Sequence, residues 1–79
     1  MSSTTLGQRV RALRQARAWT LAVLASESGL SISYLNDIEH DRHTPSLGRL
    51  AAVASALGLS VTKLLAGTTY DDGPHTTSS

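Results

Sequence analysis

Residues 20–39, TLAVLASESGLSISYLNDIE, constrain the fold more than any other part of the sequence. Apolar residues recur there with helical spacing on both sides of Gly29, a residue that takes the left-handed conformation ending many helices. Thr20 and Ser31 are suitable N-caps, because a hydroxyl accepts a hydrogen bond from an otherwise unpaired backbone N–H. The stretch therefore predicts two short helices joined by a tight turn. They run from Thr20 to about Ser28 and from Ile32 to about Glu39.

The predicted second helix of this pair has two chemically different faces. Its apolar face packs on its partner helix, and Ala25 is small where the two helices would cross. The predicted inward side chains are Leu24, Leu30, Leu35 and Ile38. The predicted outward ones are Ser31, Ile32, Ser33, Asn36, Asp37 and His40. A helix with an apolar back and a short polar front, held against a support helix, fits the major groove of DNA.

The flanking sequence predicts three further helices. The first spans roughly Thr5–Arg17 on Leu6, Val10 and Leu13, and Ala18 and Trp19 end it. The fourth starts with Thr44 as N-cap and Pro45 at the first helical position and carries Leu47, Leu50, Val53, Ala54 and Leu57 up to Gly58. The fifth follows Ser60, carries Val61, Leu64 and Leu65, and ends at Gly67. We predict an all-α fold of five helices over residues 1–67 and a polar tail or linker over residues 68–79.

Composition agrees with a small helical protein. Hydrophobic residues make up 41% of the 79 residues but aromatic residues only 4%, so Leu, Val, Ile and Ala must build the core. The absence of Cys excludes disulfides and thiolate metal sites. No apolar run has the length of a membrane span, and the N-terminus lacks the order of a signal peptide. A cytoplasmic protein with no membrane partner is the expectation.

The distribution of charge along the chain is more informative than the net charge of +1. Four arginines precede the first acidic residue, Glu27, and two of the six acidic residues, Asp71 and Asp72, lie in the tail. The remainder has seven basic and four acidic residues, or +3, a modest bias toward a polyanion. Charge alone still favours a solvated basic face.

Catalytic and metal sites find little support. His40 and His43 with Asp41 make a poor ligand set, since a structural zinc site needs four ligands. Ser, His and Asp occur without a nucleophile elbow, and the glycines lack phosphate-loop spacing. We predict no enzyme activity, no metal and no cofactor.

Three consecutive segments resemble the lambda-repressor/Cro family of helix-turn-helix regulators, also called the XRE type. LGQRVRALRQARAWT resembles the family's first helix and its exit, and LAVLASESGLSISYLNDIE its helix-turn-helix. HDRHTPSLGRLAAVASALGLSVTKLL resembles its loop, its Pro-Ser-Leu helix start and its last two helices. The resemblance covers about Leu6 to Gly67 and implies a sequence-specific regulator that binds double-stranded DNA.

The chain departs from the family pattern at four positions. Ala18 and Asp41 stand where glycine is usual. A left-handed Ala costs about 1 kcal/mol, so the turn at Ala18 need not follow the family's, whereas Asp tolerates this conformation better. Leu21 replaces a Gln that reaches DNA, so that polar contact is absent, and Ile32 replaces a polar or basic residue.

The resemblance places the third helix against the bases. The predicted base-contacting residues are Ser31, Ile32, Ser33, Asn36 and Asp37. Asn pairs well with adenine, Asp accepts from cytosine, and Ile packs on the thymine methyl group. Asn36 is the best single candidate. Ser31 serves equally well as a helix cap or a phosphate contact, and Asp37 as a specificity determinant or a solvated charge.

A second set of residues is predicted to contact phosphates, which position the protein without reading sequence. This set is Arg17, Thr20, Tyr34, Arg42 and His43. Tyr34 also suits partial core packing. Solvation or ion pairing is favoured for Arg9, Arg11, Arg14 and Arg49. We expect Glu39 to pair with Arg14 or Arg17, and Trp19 to anchor one helix to another.

These inferences favour a transcriptional repressor. A single helix reads too few base pairs to select one genomic site, so we expect a homodimer on a palindromic operator with half-sites one helical turn apart. The dimer surface is either the fifth helix, through Leu59, Val61 and Leu65, or a further C-terminal domain. Two alternatives stay open: an antitoxin-type interaction module that also binds DNA, and a small activator of the restriction-modification controller type.

Overall fold

Polar caps and left-handed turns divide the chain into five α-helices in the computed structural model, which describes residues 4–68. The helices are α1 (Leu6–Ala16), α2 (Leu21–Ser28), α3 (Ile32–Glu39), α4 (Leu47–Ala56) and α5 (Val61–Leu65). An isolated bridge between Thr4 and Thr68 brings the two ends of the described region together. The predicted all-α, five-helix architecture is confirmed. Beyond Thr68, the predicted tail lies outside the described residues.

Each helix begins at a hydroxyl side chain that accepts a hydrogen bond from the backbone N–H three residues later. The predicted caps Thr20, Ser31 and Ser60 are confirmed. At α1, Thr5 is the N-cap, and its backbone N–H donates in return to the Gln8 side-chain oxygen, which makes a capping box.

The predicted start of α4 is wrong. The N-cap is Ser46 rather than Thr44, and its hydroxyl accepts from the Arg49 N–H at 3.4 Å. Pro45 lies before the helix instead of opening it, and it is fully buried. Both Thr44-Pro45 and Ser46 are valid start signals, and burial of the proline ring decides between them.

Three of the turns depend on left-handed residues. Gly29 adopts φ 75° between α2 and α3, as predicted. Ala18 adopts φ 58° after α1 and Asp41 adopts φ 57° after α3, so both positions keep the conformation that the family usually assigns to glycine. The strained alanine is tolerated because two backbone bonds fix this turn, from Ala18 N–H to Gln15 and from Trp19 N–H to Arg14.

The core lies where the helices meet in a closed circuit, in which α1 packs on α3, α3 on α2, α2 on α4, α4 on α5, and α5 on α1. Its buried apolar side chains are Leu6, Val10, Leu24, Leu35, Ile38, Leu50, Val53, Ala54, Leu57 and Leu64. Leu13, Trp19, Ala25 and Leu30 pack against this cluster while staying partly exposed. The circuit supports α3 from two sides and leaves its outward face open.

Candidate nucleic-acid interface

The outward face of α3 is fixed by what lies behind it. Leu35 and Ile38 are buried against α1 and α2, at 0% and 1% exposure, which prevents α3 from rotating about its axis. Glu39, at the end of the helix, is also buried and binds Arg14 of α1 through both carboxylate oxygens, at 2.7 and 3.0 Å. The front of α3 is therefore presented in one orientation.

Arg14 connects three parts of the fold. Besides Glu39, its guanidinium donates to the backbone carbonyl of Trp19 at 2.7 Å. The hydrogen bonds that Arg14 donates to Glu39 are the main cause that raises the pKa of Arg14, against the opposing effect of burial. This is one of the two ion pairs expected for Glu39. The guanidinium of Arg14 therefore has a structural role in holding these parts of the fold together.

The loop after α3 is hydrogen-bonded to the start of α1 through Asp41. Asp41 accepts a hydrogen bond from the Thr5 hydroxyl at 2.7 Å and another from the Gly7 N–H at 2.9 Å. A methyl group on Gly7 would lie 2.5 Å from the Ile38 carbonyl oxygen, so only glycine allows this approach. The sequence pattern indicates the left-handed backbone of Asp41 but not this contact, because its partners lie 34 and 36 residues away along the chain.

The predicted base-contacting residues share the front and the N-terminal part of α3. Ser31, Ile32 and Ser33 are exposed, with Ile32 at 50%, while Asn36 and Asp37 one turn later are partly exposed. The Ser31 hydroxyl accepts from the Tyr34 N–H at 3.0 Å but keeps its own donor. The side-chain amide of Asn36 makes no hydrogen bond within residues 4–68, so its donor and acceptor are both available.

The predicted phosphate-contacting residues fall into two groups. Tyr34, Arg42 and His43 lie on α3 or in the loop that follows it. Arg42 donates from Nε to the Asp37 carboxylate at 3.1 Å, and the rings of Tyr34 and His43 meet edge to face at 5.0 Å. Arg49 from α4 stacks its guanidinium carbon 5.1 Å from the centre of the Tyr34 ring.

Arg17 and Thr20, the second group, lie in the turn between α1 and α2. Arg17 donates to the carbonyl of Leu57 at the end of α4 and stacks over Trp19 at 5.3 Å. Its charge therefore has a structural partner, and its phosphate contact stays a prediction. The Thr20 hydroxyl accepts from Val23 N–H at 3.2 Å and retains its donor.

The two histidines near α3 serve separate local contacts. His40 lies with Nδ1 2.8 Å from the Asn36 carbonyl oxygen, whereas His43 packs on Tyr34. Across the part of the chain that the structure describes, no three His, Asp or Glu side chains form a group able to hold a metal ion. The same residues include no helix long and apolar enough to cross a membrane.

A comparison with known families matches this geometry. The family model described as "Helix-turn-helix domain" matches residues 5–66. The chain belongs to the helix-turn-helix family. The helix-turn-helix itself is α2, the Gly29 turn and α3, in agreement with the prediction from residues 20–39.

Relatives of known name refine this membership. The helix-turn-helix domain is 51% identical over 61 residues to the immunity repressor protein of Bacillus phage phi105, covering 77% of this chain and 42% of that protein. It superimposes on the DNA-binding domain of the P22 c2 repressor with a TM-score of 0.78 and 30% identity, covering 85% of this chain and 88% of that domain. The resemblance to the lambda-repressor/Cro family is confirmed.

A third relative was solved with DNA. The helix-turn-helix domain matches SinR, "the master regulator for biofilm formation", in complex with DNA, with a TM-score of 0.73 and 37% identity, covering 77% of this chain and 98% of that chain. The chain spans only part of the first two curated relatives, since the match covers 42% and 50% of their lengths.

Proposed function

We propose that this helix-turn-helix domain binds double-stranded DNA sequence-specifically and regulates transcription as a repressor. One observation carries the proposal. The front of α3 leaves the Asn36 amide and the Ser33 hydroxyl without hydrogen-bond partners among residues 4–68 and leaves Ile32 half exposed, while the back of the helix is buried and Glu39 at its end is held by Arg14. A rigid helix that presents unsatisfied polar groups and an apolar tip suits the major groove.

Within this proposal, the front of α3 and its N-cap residue Ser31 read the bases. Asn36 presents a donor and an acceptor to adenine, and Ile32 packs on a thymine methyl group. Ser31 and Ser33 donate to whichever acceptor faces them, and Asp37 accepts from cytosine. Exposure of the apolar Ile32 side chain to water is unfavourable in the free protein, and burial of this side chain against DNA is therefore favourable.

Phosphate contacts hold α3 in register on both sides. Thr20 and Arg17 reach the DNA backbone from the turn before α2, Tyr34 reaches it from α3, and Arg42 and His43 reach it from the loop after α3. The ion pair between Arg42 and Asp37 is about half exposed on both sides, so it is worth little and a phosphate can replace the carboxylate. The proposed interface needs neither a metal nor a cofactor, nor any catalytic step.

A homodimer on a palindromic operator completes the proposal. Each domain contributes one reading helix, so two are needed to specify a genomic site. Leu59, Val61 and Leu65 around α5 pack on the core but remain partly exposed, which supports this face as the contact between two copies. Occupied promoter DNA would exclude polymerase, and the immunity repressor among the relatives supports repression over activation. Such a protein acts in the cytoplasm on the nucleoid.

Selection from a random double-stranded DNA library, followed by sequencing of the bound fraction, tests this function. At about 0.15 M salt, near physiological, we expect enrichment of a palindrome with half-sites one helical turn apart. Enrichment of a single half-site would support DNA reading and contradict the dimer. Absence of any enriched motif would contradict sequence-specific binding and leave the antitoxin-type interaction module as the better function.

A further inference from the structure

The seven basic side chains all lie within residues 4–68, and they differ in whether they have a hydrogen-bond or ion-pair partner there. Four of them already have partners. These are Arg9 with the carbonyls of Lys63 and Leu64, Arg14 with Glu39, Arg17 with the carbonyl of Leu57, and Arg42 with Asp37. The side chains of Arg11, Arg49 and Lys63 make neither a hydrogen bond nor an ion pair with the described residues.

Arg49 is distinguished from the other two by its position. Arg11 lies on α1 and Lys63 on α5, and neither stacks on an aromatic ring of the described region. Arg49 lies in the first turn of α4 and stacks on Tyr34, a residue of α3. Of these three cations, Arg49 is therefore the one that lies beside the candidate nucleic-acid interface.

The stacking leaves the binding groups of Arg49 available. A guanidinium over a ring face presents its N–H donors at its edges, where they match the oxygens of a phosphate. The Tyr34 hydroxyl has no hydrogen-bond partner within residues 4–68, although its ring is partly buried. The His43 ring packs edge to face with the Tyr34 ring, with 5.0 Å between the ring centres, and restricts the Tyr34 ring from a second direction. The Arg49 guanidinium and the Tyr34 hydroxyl are thus two donor groups at one ring whose orientation is restricted.

We propose that Arg49 and the Tyr34 hydroxyl together bind one phosphate of the DNA backbone, with His43 positioning the Tyr34 ring. This inference rests on the proposed DNA-binding function and adds a residue that sequence reasoning favoured as solvated or ion-paired. The contact joins α4 to the DNA, so the backbone is held by α4 as well as by the helix-turn-helix.

Fluorescence anisotropy titrations of Arg49→Ala test the proposal, using a selected duplex and a scrambled one over a range of salt concentrations. Loss of one phosphate contact lowers the slope of log K against log salt by about 0.9, which corresponds to about fivefold weaker binding at ~0.15 M salt. We expect the same loss on both duplexes, because a phosphate contact carries no sequence information.

Arg11→Ala is the matched control, because it removes the same charge from an exposed side chain without a stacking partner. We expect its slope to stay close to that of the unaltered protein. Equal slopes for Arg49→Ala and Arg11→Ala would overturn the proposal, since the effect would then come from net charge.

Two further variants separate binding from support. Arg49→Lys keeps the charge but loses the planar fork, so we expect the salt slope to be retained and the affinity to fall. Tyr34→Phe keeps the ring and removes the hydroxyl, so we expect weaker binding with an unchanged slope. A Tyr34→Phe affinity equal to that of the unaltered protein would overturn the role of the hydroxyl.

Failure of this proposal is distinguishable from failure of the proposed function. If the unaltered protein binds neither duplex, both are wrong. If it binds the selected duplex and Arg49→Ala binds equally well with the same slope, only the Arg49 phosphate contact is wrong.

Discussion

Asp37 and Arg42 form an ion pair at the end of α3, with Arg42 Nε 3.1 Å from Asp37 Oδ1. The same two residues are also joined through the backbone, from the Arg42 N–H to the Asp37 carbonyl at 2.8 Å. Before DNA binds, a predicted base-reading carboxylate thus neutralises a predicted phosphate-binding cation. Because the side chains are 48% and 55% exposed, this pair contributes at most about 1 kcal/mol to folding.

Replacing Asp37 by Asn should release Arg42 from the ion pair before DNA binds. We expect tighter binding to scrambled DNA, because Arg42 no longer has to exchange a carboxylate for a phosphate, and weaker discrimination at the base that Asp37 reads. The salt slope should stay unchanged, because Arg42 contacts one phosphate in both proteins. Arg42→Ala should instead lower the slope by about one unit and weaken binding to all sequences. Anisotropy titrations over a range of salt concentrations measure both. An unchanged affinity of Asp37→Asn for scrambled DNA would show that the ion pair does not limit Arg42.

The buried pair between Glu39 and Arg14 should matter for stability. Glu39→Gln keeps the shape but loses the charge-assisted bonds, so we expect a loss of about 1.5–3 kcal/mol in the free energy of unfolding. Pairing raises the pKa of Arg14, so this stabilisation is present below the ordinary pKa of arginine and is lost through Arg14 only at extreme alkaline pH. Urea unfolding at neutral pH measures the loss, and an unaltered midpoint would contradict it.

Sequence signals were sufficient where structure depends on neighbouring residues. Thr20, Gly29 and Ser31 fixed the helix-turn-helix because caps and left-handed turns are local. The start of α4 was missed because Thr44-Pro45 and Ser46 are equally good local signals, and only burial of Pro45 in the assembled core separates them.

Contacts between distant residues were harder to predict. The pairing of Glu39 with Arg14 was anticipated as one of two possibilities, because the family resemblance gives the order of the helices. The stacking of Arg49 on Tyr34 and the binding of Arg17 to the Leu57 carbonyl depend on how α4 packs, which no local pattern encodes. The base-reading set stays a prediction, because it requires DNA to be tested.

Ala18 should limit the stability of the domain through its left-handed backbone. Ala18→Gly relieves a strain of about 1 kcal/mol, and part of this gain is offset by the greater freedom of glycine in the unfolded chain. Gly29→Ala is the matched reverse change, since the added Cβ has no neighbour within 4 Å and the cost is purely conformational. We expect thermal unfolding to shift up for Ala18→Gly and down for Gly29→Ala, and shifts of the same sign would contradict this explanation.

A side chain at Gly7 should destabilise the domain through a steric clash rather than through backbone strain. An added Cβ would overlap the carbonyl oxygens of Ile38 and Glu39 at 2.5 and 2.7 Å, which would force α1 away from α3. We expect Gly7→Ala to lose about 1–3 kcal/mol, as overpacked sites do. Gly48→Ala, on an exposed turn of α4 with its nearest neighbour at 3.9 Å, should instead gain about 0.5–1 kcal/mol from helix propensity. Urea unfolding compares the two, and a stable Gly7→Ala would contradict the close packing.

If α3 reads DNA sequence, Asn36→Ala should reduce the preference for the selected duplex. Anisotropy titrations of the unaltered protein and this variant, each against the selected duplex and a scrambled one, separate specific from non-specific binding. We expect Asn36→Ala to lose about 1–3 kcal/mol on the selected duplex and nothing on the scrambled one. An unchanged preference between the two duplexes would contradict the assignment of α3 as the reading helix.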